Sequence, residues 1–248
     1  MTRARSAHVA VLATTIGLFT VASPANVVVD VTSTYKLSDF VGSPTAFIRV
    51  EDKVFSEFTH EDTSDFGGNA PSPAAINVTG VKVDYGNGFE YGLRFSGNWS
   101  AVGEQLADTI IRYKVTADDP WLIIDNTLWM SASGASDAGV ATISESVYRL
   151  YPPSSDDDRV AAKYVYDYDD HNYSKIIDHF EFPPGYEELW IVKDVAVNGG
   201  GEDTGGNPLG SAHISEFYQT FSQVPEPATL ALTAAGALVL VLHRRRRR

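Results

Sequence analysis

The sequence predicts an all-β protein folded as a β-sandwich of jelly-roll or immunoglobulin-like kind, and three observations favour this class. Between residues 27 and 221 the chain consists of short runs rich in Val, Ile, Thr and aromatic residues, which is the composition of strands. Gly, Pro, Asn and Asp interrupt these runs as turn residues do. We find no amphipathic pattern of about 10 to 15 residues, which the helices of a parallel α/β fold require.

A β-hairpin is the most specific local prediction. Residues 81–85 and 89–95 are strand-like and flank Gly86-Asn87-Gly88. An Asn-Gly pair adopts the positive φ angles that a tight hairpin turn needs. Further strand candidates are residues 110–117, 122–130, 140–151, 163–168, 176–182, 189–197 and 213–221.

The remaining stretches predict loops and one short helix. Residues 66–75 and 198–210 are rich in Gly or Pro and predict exposed loops, the second joining the last two strands. Residues 100–106 are the candidate for a short helix. No repeat of fixed period is visible, which argues against a propeller or solenoid. We therefore expect a single exported domain over residues 26–223.

Charge and cysteine content restrict the function. Seven of the 19 basic residues and one of the 32 acidic residues lie in the two terminal segments, so the segment between them has a formal charge of -19. Such a field repels phosphate backbones, so nucleic acid is not an expected partner. The chain has no cysteine, which excludes thiol catalysis and leaves packing, with or without a metal ion, to stabilise the fold.

The N-terminus has the layout of a secretory signal peptide. Arg3 and Arg5 precede an apolar run over residues 9–21, and small residues lead to Ser23-Pro24-Ala25. We expect signal peptidase to remove residues 1–25. The alternative is an uncleaved N-terminal anchor, for which the apolar run is short.

The C-terminal segment, residues 224–248, combines three features. Pro225, Glu226 and Pro227 form a stretch that stays extended, because proline cannot join a helix interior. Residues 228–242 are apolar and uncharged, and residues 243–248 are His243 followed by five arginines. The arginines are expected to remain in the cytoplasm. A 15-residue helix is about 22 Å long, shorter than the ~30 Å hydrocarbon core, so this transmembrane helix suits a transient hold.

This ending resembles the PEP-CTERM sorting signal of bacteria. The resemblance implies recognition by exosortase, a membrane enzyme that processes the tail near Pro225, Glu226 and Pro227. Those residues are then substrate features and not catalytic ones. The resemblance also implies delivery through the inner membrane to the cell surface or the exopolysaccharide matrix, with exopolysaccharide as a potential partner. It says nothing about the function of the central domain.

An acidic stretch offers a candidate metal site. Asp167, Asp169 and Asp170 precede His171, and hard carboxylate oxygens suit calcium. Alternate residues of an extended chain share a face, so Asp167 and Asp169 can meet one ion. The stretch lacks EF-hand spacing, and the alternative is a solvated acidic loop. Zinc at His171 and His179 has no supporting motif. Calcium is the only cofactor that the sequence suggests.

The aromatic residues suggest either core or sugar-stacking positions. Trp129 and Trp190 lie in apolar strand-like runs and are expected in the core. Tyr164, Tyr166 and Tyr168 alternate with Val165 and Asp167 and share one face of a strand, and their polar neighbours leave exposure open.

No catalytic residue can be assigned from the sequence. A Gly-x-Ser-x-Gly elbow, a phosphate-binding glycine loop and a dinucleotide fingerprint are all missing. The expected function is therefore a non-enzymatic structural, adhesive or glycan-binding one. The alternatives are an extracellular hydrolase acting on polysaccharide and a permanently anchored type I membrane protein. Two facing acids in a cleft would favour the hydrolase, and a flat aromatic strip without such acids would favour the binding module.

Overall fold

A computed structural model describes residues 33–85, 89–168 and 173–225. The predicted signal peptide, the hairpin turn at residues 86–88 and the tail from residue 226 onward lie outside these ranges. In chain order the described strands are β1 (Thr34–Lys36), β2 (Phe47–Val50), β3 (Lys53–Asp62), β4 (Asn77–Asp84), β5 (Phe89–Val102), β6 (Leu106–Ala117), β7 (Trp121–Asp137), β8 (Val140–Tyr148), β9 (Arg159–Tyr168), β10 (Tyr173–Lys175), β11 (Ile177–Tyr186), β12 (Glu188–Asn198) and β13 (Gly210–Pro225).

The strands form two antiparallel sheets. One sheet has six strands in the order β1-β4-β5-β13-β7-β11, and the other has seven in the order β10-β9-β8-β12-β6-β3-β2. Two sheets with alternating inward residues form a common core when their apolar faces pack together. The architecture confirms the predicted all-β class and is consistent with a β-sandwich.

Aromatic side chains fill the space between the sheets. Tyr113 from β6 packs against Phe55 and Phe95, with ring centroids 6.1 and 5.9 Å away. Phe95 stacks on Phe217 at 5.0 Å. Trp99, fully buried, donates a hydrogen bond of 3.0 Å from Nε1 to Thr109 and so joins β5 to β6 across the sandwich. The core therefore combines aromatic burial with a hydrogen bond that joins the two sheets.

The predicted hairpin and the last loop are confirmed. β4 and β5 pair antiparallel from Asn77↔Ser96 to Asp84↔Phe89, and residues 86–88 between them lie outside the described ranges. The glycine-rich stretch that follows β12 leads into β13, as expected for the connection between the last two strands.

The predicted helix at residues 100–106 is wrong. β5 continues to Val102 and β6 begins at Leu106. Ser100 exchanges two backbone hydrogen bonds of 3.0 Å with Asn69, and Ala101 is buried while Val102 is exposed. This alternation and the cross-strand bonds are those of a strand, and a short helix in their place would leave these backbone groups without partners.

Long strands carry the chain to the start of the predicted sorting motif. β13 lies between β5 and β7 and pairs with β7 as far as Pro225↔Trp121. No spacer therefore separates the sandwich from Pro225. Within the described ranges, none of the helical segments has the length and apolar character needed to cross a membrane.

Candidate functional site

The predicted calcium ligands are only partly described. Asp167 is fully buried on the inner face of β9, and Ser133 donates a hydrogen bond of 2.8 Å to its Oδ2. Asp169 and Asp170 lie outside the described residues, as do Glu226 and Pro227 of the sorting motif. The calcium site and the roles of the motif residues therefore remain predictions.

A row of four tyrosines lies on the outer face of the seven-stranded sheet, and we call it the tyrosine strip: Tyr164, Tyr166 and Tyr168 of β9 and Tyr173 of β10. Consecutive ring centroids are 5.5, 5.2 and 5.6 Å apart, and the interplanar angles fall from 36° to 22° and 15° along the row. The two end residues, Tyr164 and Tyr173, are 46% and 60% exposed. The strip is a continuous aromatic surface that water can reach.

The strip lies on this face because the other side of β9 faces the core. Lys163, Val165 and Asp167 are buried, so their neighbours point outward. Tyr173 pairs directly with Tyr168 across the β9–β10 ladder, and cross-strand neighbours on one face are close enough for their rings to pack. The sequence predicted the shared face of the first three tyrosines but not their exposure.

Small side chains lie beside the strip and separate it from two carboxylates. Across β8 and β12, Tyr166 is followed by Thr142, Ala196 and then Asp108 of β6. The neighbouring row runs from Tyr164 through Ser144 to Asp194. With strands ~4.8 Å apart, the strip and Asp108 are separated by roughly 14 Å. The face thus has aromatic rings on one side, small residues in the middle and carboxylates on the other side.

The two carboxylates, Asp108 and Asp194, lie close enough to interact. Burial and the neighbouring Asp108 carboxyl together raise the pKa of Asp194 to about 6. Among the described residues, Oδ1 of each aspartate is buried with no hydrogen-bond partner. The pair is therefore held at a cost in stability, because two buried acceptor atoms lack hydrogen-bond partners.

We predict that Asp194→Asn stabilises the protein at pH 7 but not at pH 4. Because the folded state raises the pKa of Asp194 from 3.8 to about 6, ionising it costs stability. This cost is small at pH 4, just above the unfolded-state pKa of 3.8, and becomes complete as the pH rises above the folded-state pKa of about 6. Removing this cost should raise the free energy of unfolding at pH 7 by about 1 kcal/mol. This value allows for solvent screening, because the carboxyl group is half-exposed. Urea unfolding at both pH values measures the difference, with Glu104→Gln, an exposed turn residue, as the control.

A second cluster lies on the outer face of the six-stranded sheet, and we call it the acid–histidine cluster: Glu90 of β5, Asp125 of β7 and His179 of β11. One ligand atom from each residue lies within 4.8 Å of the others. Thr127 bonds His179 Nδ1 at 2.9 Å and donates to Glu90 at 3.4 Å. The backbone N–H of Ser222 donates to Asp125 at 3.0 Å. Hydroxyl and backbone groups thus hold the three side chains in place.

Sequence reasoning missed this cluster because its members are far apart in the chain. Glu90, Asp125 and His179 converge only because β13 lies between β5 and β7, and β11 lies beside β7. The sequence suggests His179 as a zinc ligand only together with His171, which is outside the described residues. Burial raises the pKa of Glu90, and the nearby Asp125 charge raises it as well, against the hydrogen bonds from Thr220 and Thr127. A divalent cation would relieve this repulsion, and two carboxylates with an imidazole suit Zn²⁺ or Mn²⁺ better than Ca²⁺.

We predict that Zn²⁺ stabilises the protein through the acid–histidine cluster. A ligand at 100 times its dissociation constant stabilises the folded state by about 2.7 kcal/mol, so the melting temperature should rise with Zn²⁺ concentration. Asp125→Asn and His179→Ala should each abolish most of the rise. The exposed His213 lies outside the cluster, and His213→Ala should respond like the wild type. An equal response of all four proteins would contradict the assignment.

Two tryptophans expected in the core lie on the outer faces instead. Trp129 is half-buried and stacks on Tyr218 at 4.9 Å, and Trp190 is half-buried beside Tyr151 at 5.3 Å. Trp190 lines a surface cavity of about 450 Å³ with Phe58 and Tyr151. The prediction was wrong because their strand neighbours, such as Leu128, Leu189 and Ile191, occupy the inward positions.

Comparison with known proteins identifies the tail. Residues 223–248 match the family model of the PEP-CTERM protein-sorting motif. A comparison with curated proteins gives no match.

Two solved structures are similar to this chain at low scores. TmCBM61 in complex with beta-1,4-galactotriose has a TM-score of 0.29 and 12% identity over 66% of this chain and 88% of that chain. The enzymatically active domain of bacteriophage CBA120 tailspike protein 4 has a TM-score of 0.26 and 15% identity over 66% of this chain and 19% of that chain.

The fold and the tail together define an exported all-β protein with a C-terminal sorting signal. The chain carries a PEP-CTERM motif at residues 223–248, as the resemblance of its last 25 residues predicted. The motif implies processing by exosortase and sorting to the cell surface or the extracellular space.

Proposed function

We propose that the sandwich is a non-enzymatic glycan-binding module that acts at the cell surface or in the extracellular matrix. The tyrosine strip is the observation that carries this proposal. Four neighbouring rings at the edge of a sheet, three of them stacked, form a continuous aromatic row, and tyrosine combines an apolar ring face with a polar hydroxyl. Exposed aromatic patches of this kind mark binding sites on soluble proteins. Sugar rings present matching flat C–H faces with hydroxyl groups around them.

The groups beside the strip favour a neutral glycan. The small side chains of Thr142, Ser144 and Ala196 leave room next to the rings, and the carboxylates of Asp108 and Asp194 can accept hydrogen bonds from sugar hydroxyls. The segment between the two ends carries a formal charge of -19, which repels uronic-acid and sulfated polymers. We therefore propose neutral exopolysaccharide as the ligand class.

The carboxylates on this face support binding over hydrolysis. Glycosidases place their two carboxyl groups roughly 5 to 10 Å apart, so that the scissile bond and a water or nucleophile fit between them. Asp108 and Asp194 instead lie so close together that the Asp108 carboxyl helps to raise the pKa of Asp194. This arrangement fits hydrogen-bond acceptance and leaves no room for a sugar between the acids.

Affinity electrophoresis of the processed protein tests the proposal. The protein is run through gels that contain a neutral glucan, a neutral galactan, a neutral mannan or an anionic alginate. We expect retardation by at least one neutral polymer and none by alginate. Unchanged mobility in every neutral polymer, and in neutral exopolysaccharide purified from the producing cells, would overturn the proposal.

A second candidate function is hydrolysis of polysaccharide at the acid–histidine cluster. The raised pKa of Glu90 suits a general acid, and the Trp129–Tyr218 stack lies on the same face of the sheet. Release of new reducing ends that Glu90→Gln abolishes would support hydrolysis. Binding without any such release would favour the module.

We also propose a route of delivery for the protein and a jelly-roll topology for its sandwich. Signal peptidase removes residues 1–25, the predicted transmembrane segment of residues 228–242 holds the protein in the membrane transiently, and exosortase processing transfers it to the exopolysaccharide matrix. The jelly-roll kind of sandwich is supported by the chain crossing between sheets at each connection from β5 to β8 and from β10 to β13. A protein that keeps its tail would instead be a permanently anchored type I membrane protein.

A further inference from the structure

An ionic cluster lies in the centre of the sandwich, between the two sheets. Glu145 of β8 is fully buried and lies between Lys163 of β9 and Lys193 of β12, which are also buried. From the facing sheet, Asn126 of β7 and Gln219 of β13 reach the same group of side chains. Buried charges at this depth are costly unless each is paired.

The pairing within this cluster is incomplete. Glu145 supplies one negative charge to two lysines, so the cluster has an excess of one positive charge. Lys193 bonds Oε2 of Glu145 and the side-chain oxygen of Gln219. Among the described residues, Lys163 Nζ, Asn126 Oδ1 and Gln219 Nε2 have no well-directed hydrogen-bond partner. An unpaired charge and orphaned polar atoms in a core call for an explanation.

Lys163 and Asn126 converge on one oxygen atom. The Nζ of Lys163 lies 2.9 Å from Oε1 of Glu145, and Asn126 donates from Nδ2 to the same Oε1 at 2.8 Å. An amine, a carboxamide and a carboxyl group that contacts both are thus enclosed together. This is the set of groups needed for transfer of an acyl group from an amide to an amine, with the carboxyl group as proton carrier.

We propose that Lys163 and Asn126 form an intramolecular isopeptide bond, with Glu145 as the catalytic residue. Burial lowers the pKa of Lys163, against the opposing charge of Glu145, and this favours the neutral amine that the reaction requires. Burial acts to raise the pKa of Glu145, and the charges of Lys163 and Lys193 together lower it.

The reaction balances without any co-reactant. Glu145 accepts a proton from the Lys163 ammonium, and the free amine attacks Cγ of Asn126 while the carbonyl electron pair moves to Oδ1. Glu145 donates this proton to Nδ2 and then accepts the second proton from the attacking nitrogen. The carbonyl re-forms, the Cγ–Nδ2 bond breaks, and the leaving ammonia takes the second proton from Glu145 and departs as ammonium.

The product removes the defect of the cluster. One positive charge leaves the core with the ammonium ion, and Glu145 and Lys193 remain as a neutral ion pair. The Nζ of Lys163 becomes an amide nitrogen. The bond joins β7 of one sheet to β9 of the other, and a covalent tie between sheets suits an exported protein that has no cysteine.

Mass spectrometry of the processed wild-type protein tests this inference. In denaturing solvent, the intact mass should be lower than the mass of the chain by one ammonia, and proteolysis should release a branched peptide that joins Lys163 to Asn126. Asn126→Ala and Glu145→Gln should each have the full mass and lack the branched peptide. Lys193→Met, which keeps all three reacting groups, should retain the branched peptide.

The wild-type protein decides the question even if the variants fail to fold. A full intact mass with Lys163 in an unbranched peptide would overturn the inference. A branched peptide that contains Lys193 in place of Lys163 would overturn the assignment of the attacking residue. Neither result depends on glycan binding, so the two proposals can fail separately.

Discussion

Replacing Tyr166 and Tyr168 together by alanine is expected to abolish detectable glycan binding. These two residues form the middle of the tyrosine strip, with their rings 5.2 Å apart, so their loss leaves Tyr164 and Tyr173 as isolated rings. Central aromatic residues dominate binding energy at interfaces, and truncations commonly cost 2 kcal/mol or more. We expect affinity to fall more than about tenfold, since tenfold corresponds to about 1.4 kcal/mol.

The matched control is Phe66→Ala. Phe66 is 68% exposed and is not part of the tyrosine strip, so its loss removes an exposed aromatic ring but should leave affinity unchanged. Phe66→Ala should retain the wild-type melting temperature, because its ring is exposed. The double variant should melt somewhat lower but remain folded, because Tyr168 is half-buried and packs against the core. Equal retardation of the double variant and the wild type in affinity gels would contradict the assignment of the strip as the binding surface.

Glu145→Ala is expected to destabilise the sandwich more than any surface substitution. The change leaves Lys163 and Lys193 buried without a counter-charge, and breaking a buried ion pair in this way costs about 3 to 5 kcal/mol. That is a large share of the total stability of a domain, which is about 5 to 15 kcal/mol. Chemical denaturation followed by tryptophan fluorescence should show a shifted midpoint or an unfolded protein.

Asp118→Ala provides the comparison for Glu145→Ala. Asp118 pairs with Arg49 at the surface, where both side chains are about a third or more exposed. Exposed pairs contribute about 1 kcal/mol or less, so this variant should unfold close to the wild type. Similar midpoints for the two variants would show that the buried cluster does not stabilise the core as described.

The fold class was predictable where alternation is regular, and the strands that were missed have physical reasons. β12 alternates strictly, and its range was predicted within one residue at each end. β3 was not predicted, because Lys53 is buried at its start and Glu57 has a φ of 57° beside a break in register. The bulge places Phe55 and Phe58, three residues apart, on the same buried side. Strand prediction from the alternation of apolar and polar residues therefore fails at a bulge.

The sites depend on strand order, which local patterns do not contain. The alternation of Tyr164, Tyr166 and Tyr168 with polar residues predicted a shared face, but aromatic rings ordinarily point inward. Here Lys163 takes the inward side, because Glu145 on the neighbouring strand β8 provides its counter-charge. Local sequence cannot show this pairing, because the two residues are brought together by the β8–β9 ladder.

The Asp108–Asp194 pair and the acid–histidine cluster could not be predicted from the sequence either. Asp108 and Asp194 meet because β6 and β12 are neighbours, and the members of the acid–histidine cluster come from three strands. The sorting tail, in contrast, was recognised in full, because its signal is a contiguous order of motif, apolar segment and basic residues.

The most direct test of the account is the intact mass of the protein that leaves the inner membrane of producing cells. We expect an extracellular or surface form that lacks roughly the first 25 residues and everything beyond the region of Pro225 to Pro227, since the tail implies processing by exosortase. A form that stays in the inner membrane and retains Arg244 to Arg248 would contradict the account, because the sandwich would then be an anchored domain and not a sorted one.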